Sequence, residues 1–152
     1  MKRAFLVLAA MLVSSCNLNT DTPNEPSDPA TETFASGLQV DISKMTKTPG
    51  GAYYKDLVVG SGAAITGLPT VIVSYIEFLK DASVVGSVAG VTQTLTSMIP
   101  GLQEGMQGMK PNGERLIVVP SALAYGNSNA IAGVPANSTI VFDIIFKGFA
   151  IQ

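Results

Sequence analysis

Hydrophobic and polar residues alternate along several short stretches of the chain. In residues 69–79, PTVIVSYIEFL, the side chains Val71, Val73 and Tyr75 occupy every second position. A period of two places such side chains on one face of a β-strand. The same kind of pattern, or a short apolar run, predicts further strands at residues 37–42, 52–59, 90–97, 114–119 and 138–149.

One stretch has a helical period instead. In residues 98–110, MIPGLQEGMQGMK, apolar side chains recur three or four positions apart, at Ile99, Leu102, Met106 and Met109. Three glycines interrupt it, and an interior glycine costs a helix about 0.5–1 kcal/mol relative to alanine. Proline is tolerated in the first turn of a helix, where Pro100 would lie, and Pro111 is expected to end the helix. We therefore expect packing to hold this helix, with its glycines allowing close approach to a curved sheet.

These elements predict five or six strands and one helix, without the strand–helix–strand rhythm of a parallel sheet. The expected fold class is α+β, an antiparallel sheet with one short helix packed on its apolar face.

The composition excludes several kinds of function. Only 13% of the 152 residues are charged and the formal net charge is -2, so nucleic acid is not expected as a partner. The chain has no histidine and one cysteine, which excludes an internal disulfide and a Ser–His–Asp triad. We expect neither a metal site nor a cofactor.

The N-terminus resembles the signal of a bacterial lipoprotein. Lys2 and Arg3 precede an apolar run, and small residues lead to Cys16, where cleavage and lipid attachment would follow. An ordinary secretory signal with an incidental cysteine is the alternative. We expect a signal peptide over residues 1–15, a lipidated Cys16 with a disordered tether over 16–36, and a domain over 37–152. The expected location is the cell envelope, periplasmic or on the outer surface, anchored to a membrane.

The order of motifs in the domain resembles that of FKBP-type peptidyl-prolyl isomerases. The matching segments, between Tyr53 and Phe146, are KDLVVGSGA, TVIVSY, MIPGLQEGMQGMKPNGERLIVVP, ALAYG and GVPANSTIVFDIIF. The resemblance implies an antiparallel sheet curled around one short helix, with an apolar pocket between them. In this family the pocket receives a proline ring of a polypeptide.

The resemblance also assigns residues to that pocket. It implies catalytic roles for Tyr75, Ile99, Tyr125 and Phe142, with the Ile99 N–H and the Tyr125 hydroxyl binding the substrate backbone. It implies substrate-binding roles for Met98, Leu102, Val134 and Val85.

Several positions depart from the family pattern. Leu102 stands where the family has tryptophan, Val85-Gly86 replaces a Phe-Asp pair, and Glu77 replaces a glycine. The alignment over residues 80–95 is loose, so Phe78 is an alternative source of a pocket aromatic.

Three functions fit these observations. The first is a prolyl isomerase that assists the folding of exported proteins as a monomer, without acid–base chemistry. The second is a non-catalytic module that binds peptides, as a chaperone does. The third is a structural lipoprotein that uses the fold only as a scaffold.

Overall fold

The computed structural model describes residues 26–128 and 131–151, so Cys16 and the predicted signal peptide lie outside the described residues. Six strands form one antiparallel sheet in the order β1-β2-β5-β6-β3-β4. The strands are β1 (Thr46–Lys47), β2 (Tyr53–Val58), β3 (Thr70–Leu79), β4 (Val84–Thr94), β5 (Gly113–Val119) and β6 (Ile140–Phe149). The single α-helix of the described chain is α1 (Pro100–Gly105). This confirms the predicted α+β class.

The sheet separates two hydrophobic clusters. Along β5, Ile117 and Val119 point to the side that α1 covers, which we call the helix face. Leu116 and Val118 point to the opposite side, the back face. The alternation along β5 thus contributes to both cores, which explains why this strand reads as a continuous apolar run.

The helix is shorter than the predicted stretch, because it ends at Gly105 and Gly108 follows in a left-handed conformation with φ 78°. Pro100 lies in the first turn, as predicted. A β-carbon at Gly101 would overlap the Val119 side chain, and one at Gly105 would lie 2.6 Å from Ile117 Cγ2. The expected role of these two glycines, close approach to the sheet, is confirmed.

A buried arginine holds the C-terminal end of this helix. Arg115 is 4% exposed, and its Nη1 donates to the carbonyl oxygens of Gly105 at 2.7 Å and Gln107 at 2.9 Å. Its Nε donates to Asp56 Oδ1 at 2.7 Å, and the guanidinium lies 4.2 Å from the centre of the Tyr54 ring. Carbonyl groups that a helix leaves without partners at its end are thereby satisfied.

The predicted strand at residues 37–42 is wrong. The chain forms 3₁₀ turns at Ser36–Leu38 and Ile42–Lys44 instead. Gln39 between them has φ 53°, a left-handed conformation that ends any extended run. Leu38 is buried against the back face, so its hydrophobicity is used in packing rather than in strand pairing.

The chain before this turn also packs onto the domain. Pro29 is buried, and Phe34 contacts the back-face cluster. The backbone N–H of Ser27 donates to the hydroxyl of Ser121 at 3.0 Å, and the N–H of Ser121 donates to the Ser27 hydroxyl at 2.7 Å. A disordered tether as far as residue 36 therefore does not describe its C-terminal part.

Strand β4 lies at one edge of the sheet and is longer than predicted. It begins at Val84 rather than at residue 90, and the last residues of the predicted strand form a 3₁₀ turn, Leu95–Ser97. Its pairing with β3 shifts register twice, between Val73 and Tyr75 and between Glu77 and Phe78. These irregularities bend the strand beside the helix-face cluster.

Candidate functional site

All eight residues predicted for the pocket belong to the helix-face cluster. Four of them are buried, namely Met98, Leu102, Val134 and Phe142. The other four pack against the cluster while keeping part of their surface accessible, namely Tyr75, Val85, Ile99 and Tyr125. The structure therefore brings these residues together from three strands, from α1 and the residues just before it, and from the connection between β5 and β6.

Two aromatic rings from neighbouring strands form the centre of this group. Phe142 on β6 is fully buried. Tyr75 on β3 meets it edge to face, with ring centroids 5.8 Å apart and an interplanar angle of 70°. This is a favourable geometry for an aromatic pair, so each ring fixes the position of the other.

The segment that precedes α1 lies at the border of the same group. The side chain of Gln103, on α1, donates from Nε2 to the carbonyl oxygen of Met98 at 2.8 Å. This hydrogen bond links the helix to the segment that precedes it. Ile99 is the N-cap residue of α1, in an extended conformation. Within residues 26–128 and 131–151 its backbone N–H has no acceptor. That N–H is thus available to a ligand carbonyl.

Two loops supply the remaining predicted residues. The loop of Tyr125 is closed by the N–H of Gly126, which donates to the carbonyl of Ser121 at 2.8 Å. The loop that holds Val134 approaches β4, where a β-carbon at Gly133 would lie 3.9 Å from Val85 Cγ1. Residues distant in sequence therefore meet at this side of the cluster.

One residue beside this group, Glu77, was named from the sequence only as a departure from the family pattern. Glu77 lies on the helix face of β3 and is 9% exposed. It is opposite Phe142 on β6. The Tyr125 hydroxyl donates to its Oε2 at 3.2 Å. The sequence indicates this inward position, because Glu77 continues the alternation of Val71, Val73 and Tyr75 along β3.

The electrostatics of the group follow from this buried carboxyl. Burial raises the pKa of Glu77, and the hydrogen bond from Tyr125 acts against that rise. Burial raises the pKa of Tyr125 well above its ordinary value, and the negative charge of Glu77 adds to the effect. The pKa of Tyr75 is raised for the same two reasons, in the same order. Both tyrosines are therefore neutral hydrogen-bonding groups at physiological pH.

The alternative aromatic is on the wrong side of the sheet. Phe78 packs against the back-face cluster, because it lies one position after Glu77 and so points the other way. It therefore does not contribute to the group around Phe142.

Over the described residues, no three or more of the side chains that commonly bind metals come together in a group that could hold an ion. No α-helix in that part of the chain has the length and hydrophobicity needed to span a membrane.

The comparison with known families agrees with this geometry. A profile of the FKBP-type peptidyl-prolyl cis-trans isomerases matches residues 62–147, which is more than half of the chain. The chain belongs to the FKBP family. The match runs from the turn after β2 to the end region of β6, and it includes all eight predicted pocket residues.

Individual FKBP relatives support the assignment. FK506-binding protein 4 of Dictyostelium discoideum is 35% identical over 106 residues, covering 67% of this chain and 29% of that protein. FkpA of Escherichia coli is 34% identical over 98 residues, covering 62% of this chain and 36% of FkpA. The chain thus spans about a third of the length of these relatives.

Solved structures show the same fold. The crystal structure of Escherichia coli FkpA matches with a TM-score of 0.62 and 31% identity, covering 68% of this chain and 50% of that one. The structure of AtFKBP13 matches with a TM-score of 0.63 and 25% identity, covering 70% of this chain and 99% of that one.

Proposed function

We propose that this chain catalyses cis–trans isomerisation of the peptide bond before proline in polypeptide substrates. The observation that carries the proposal is the convergence of Tyr75, Ile99, Tyr125 and Phe142 on one hydrophobic cluster. Membership of the FKBP family supports it as well.

The proposed mechanism needs no nucleophile or cofactor. The planar amide is stabilised by charge separation, and rotation about it faces a barrier of about 18–20 kcal/mol. An apolar surrounding, here Phe142 with Leu102 and Val134, disfavours the charge-separated planar form relative to the twisted one. The absence of histidine from the chain is compatible with this chemistry.

Hydrogen bonds would hold the flanking backbone during rotation. The Ile99 N–H would donate to one substrate carbonyl and the Tyr125 hydroxyl to another, while Tyr75, Met98 and Val85 border the ring. Fixing both sides of the rotating bond lowers the entropic part of the barrier.

The proposed substrates are proteins exported from the cytoplasm, and the proposed form of the enzyme is a monomer anchored by lipid on Cys16. The basis is the sequence of residues 1–16. Cys16→Ser should release the protein from the membrane fraction of cells that express the full chain. Retention of the variant on membranes would contradict the anchor.

The second candidate is a non-catalytic module that binds extended peptides. The observation that favours it is the engagement of the Tyr125 hydroxyl by Glu77, which occupies the donor that a substrate carbonyl would need.

An exchange measurement by NMR on a peptide with a Leu-Pro bond distinguishes the two. We expect catalysis by the wild type and a loss of up to about tenfold in Tyr125→Phe, the effect of one substrate hydrogen bond. Tyr53→Phe, on the back face, is the matched control and should keep full activity. Isomerisation no faster than that of a Tyr125→Phe/Ile99→Ala double variant, together with peptide binding, would favour the second candidate.

A further inference from the structure

Glu77 is an acidic residue in contact with the proposed pocket, and four elements surround it. Phe142 on β6 and Gly86 on β4 are its cross-strand neighbours, and neither carries a charge. Tyr75 on its own strand and Tyr125 on the loop after β5 are the titratable groups that face it. The carboxyl group thus contacts the Tyr125 phenol and lies close enough to Tyr75 to influence it electrostatically.

The strand opposite Glu77 leaves room for this carboxyl group. A β-carbon at Gly86 would lie 2.9 Å from Glu77 Oε2 and 3.1 Å from its Cδ. Such distances are closer than non-bonded carbon and oxygen atoms tolerate. The carboxyl therefore packs against the bare backbone of Gly86, and a side chain at position 86 would require it to shift.

The hydroxyl of Tyr125 has one proton to donate. When Glu77 is ionised it can only accept, so it holds that proton. When Glu77 is protonated, its own O–H can donate to the phenol oxygen, and the Tyr125 proton is then free for another acceptor. The protonation state of Glu77 therefore determines whether the hydroxyl can bind a carbonyl.

We propose that Glu77 is a positioning residue that controls the Tyr125 hydroxyl, so that the pocket binds a peptide carbonyl best when Glu77 is protonated. This inference rests on the proposed function, because it assumes that a substrate carbonyl is the competing acceptor. It assigns a role to a residue whose place in the pocket follows from its contact with Tyr125.

The sign of the pH dependence follows from this competition. Substrate binding favours protonated Glu77, so kcat/KM is highest at low pH and falls as the pH rises through the pKa of Glu77. Because burial raises that pKa above the ordinary value for glutamate, the fall occurs at a higher pH than for an exposed carboxyl.

The first experiment is the pH profile of kcat/KM for the Leu-Pro peptide, measured by NMR exchange from pH 4 to 8. The wild type should lose about fivefold to tenfold across this range, the effect of one hydrogen bond. Glu77→Gln should be flat and should match the wild type at low pH, since its amide can donate to the phenol oxygen. Equal pH profiles for the two proteins would overturn the proposal.

A second variant disturbs the carboxyl without changing Glu77. Gly86→Ala should shift the carboxyl relative to the Tyr125 hydroxyl and alter the pH dependence, which Glu77→Ala should abolish. The double variant Glu77→Ala/Gly86→Ala should be no worse than Glu77→Ala alone. Lower activity in the double variant than in Glu77→Ala would show that Gly86 acts elsewhere and would contradict the geometry. Melting temperatures identify any variant that fails to fold.

A titration without substrate separates this proposal from the proposed function. The pKa of the Glu77 carboxyl, followed by carbon NMR, should be higher in Tyr125→Phe than in the wild type, because the variant loses a hydrogen bond to the ionised form. An unchanged pKa would overturn the role of Glu77. If the wild type does not catalyse at any pH, the proposed function fails, and the Kd of the Leu-Pro peptide across the same pH range tests the competition directly.

Discussion

The two faces of the sheet are covered in different ways. On the helix face, α1 approaches β5 so closely that glycines are needed at the contact, and large side chains of β6 fill the remaining space. On the back face, the chain from Phe34 to Met45 lies over the strands in short 3₁₀ turns and contributes single side chains. The proposed pocket borders the first face alone. Close packing therefore accompanies the proposed chemistry, whereas the other face has only to be covered.

The largest effect is expected from removing a large side chain on the helix face, away from the pocket residues. Phe146 is fully buried and packs edge to face on Phe149 at 5.1 Å. Phe146→Ala should lower the free energy of unfolding by about 3–5 kcal/mol, because a closely packed core leaves a cavity. Urea denaturation measures this change in the free energy of unfolding. A loss under 1 kcal/mol would mean that the helix face is packed no better than the back face.

The same glycine-to-alanine change should have opposite signs on the two faces. Gly105→Ala should destabilise by about 1–3 kcal/mol, because its methyl group meets Ile117. No atom lies within 4 Å of a β-carbon placed at Gly37. Gly37→Ala should therefore stabilise the protein by about 0.4–1 kcal/mol, because alanine lowers the conformational entropy of the unfolded chain. Thermal unfolding of both variants gives the comparison. Destabilisation by Gly37→Ala would show that the back-face cover is as closely packed as the helix.

A side chain of the back-face cover should matter less. Phe34 is only partly buried, so Phe34→Ala should reduce the free energy of unfolding by about 1 kcal/mol. Peptide isomerisation by this variant should be unchanged, since Phe34 and the pocket residues lie on opposite sides of the sheet. A loss of activity at full stability would instead link the two faces.

The smallest effect concerns a carboxyl on the back face. Burial, and then the charge of Glu114, raise the pKa of Asp143. A carboxyl with a raised pKa in the folded state lowers stability as the pH rises through that pKa. Asp143→Asn should therefore be more stable than the wild type at pH 7, by less than about 1 kcal/mol because the site is partly exposed, and equal to it at pH 3. Unfolding at the two pH values tests this, and a difference that persists at pH 3 would indicate a packing effect.

The strands were predictable because alternation in β3 and β6 is strong and each has a long apolar face. The length of α1 was not, because the helical period continues through Met109 while the left-handed conformation of Gly108 is set by the turn that follows. The contacts of Pro29 and Phe34 were missed as well, since a polar composition hides two side chains whose burial depends on the folded sheet.

The candidate site was predictable in its apolar residues and incomplete in its charged ones. The order of motifs was enough to bring Tyr75 and Phe142 together with the helix. Glu77 was noted only as a replacement for a family glycine and Arg115 was missed, although both occupy inward positions of strands that alternate. Each has a particular partner, the Tyr125 hydroxyl for one and the carbonyls at the end of α1 for the other. A charged residue at an inward strand position is thus a signal of a specific interaction.

The two register shifts of β4 have a consequence for the exposed edge of the sheet. As an edge strand of 11 residues, Val84–Thr94 leaves backbone groups on its outer side without a neighbouring strand. A long and straight edge of this kind invites pairing with another chain and aggregation. The bulges interrupt the row of donors and acceptors that an incoming strand would follow. The irregular pairing beside Glu77 therefore makes this edge a poorer template for an added strand than a regular strand of the same length.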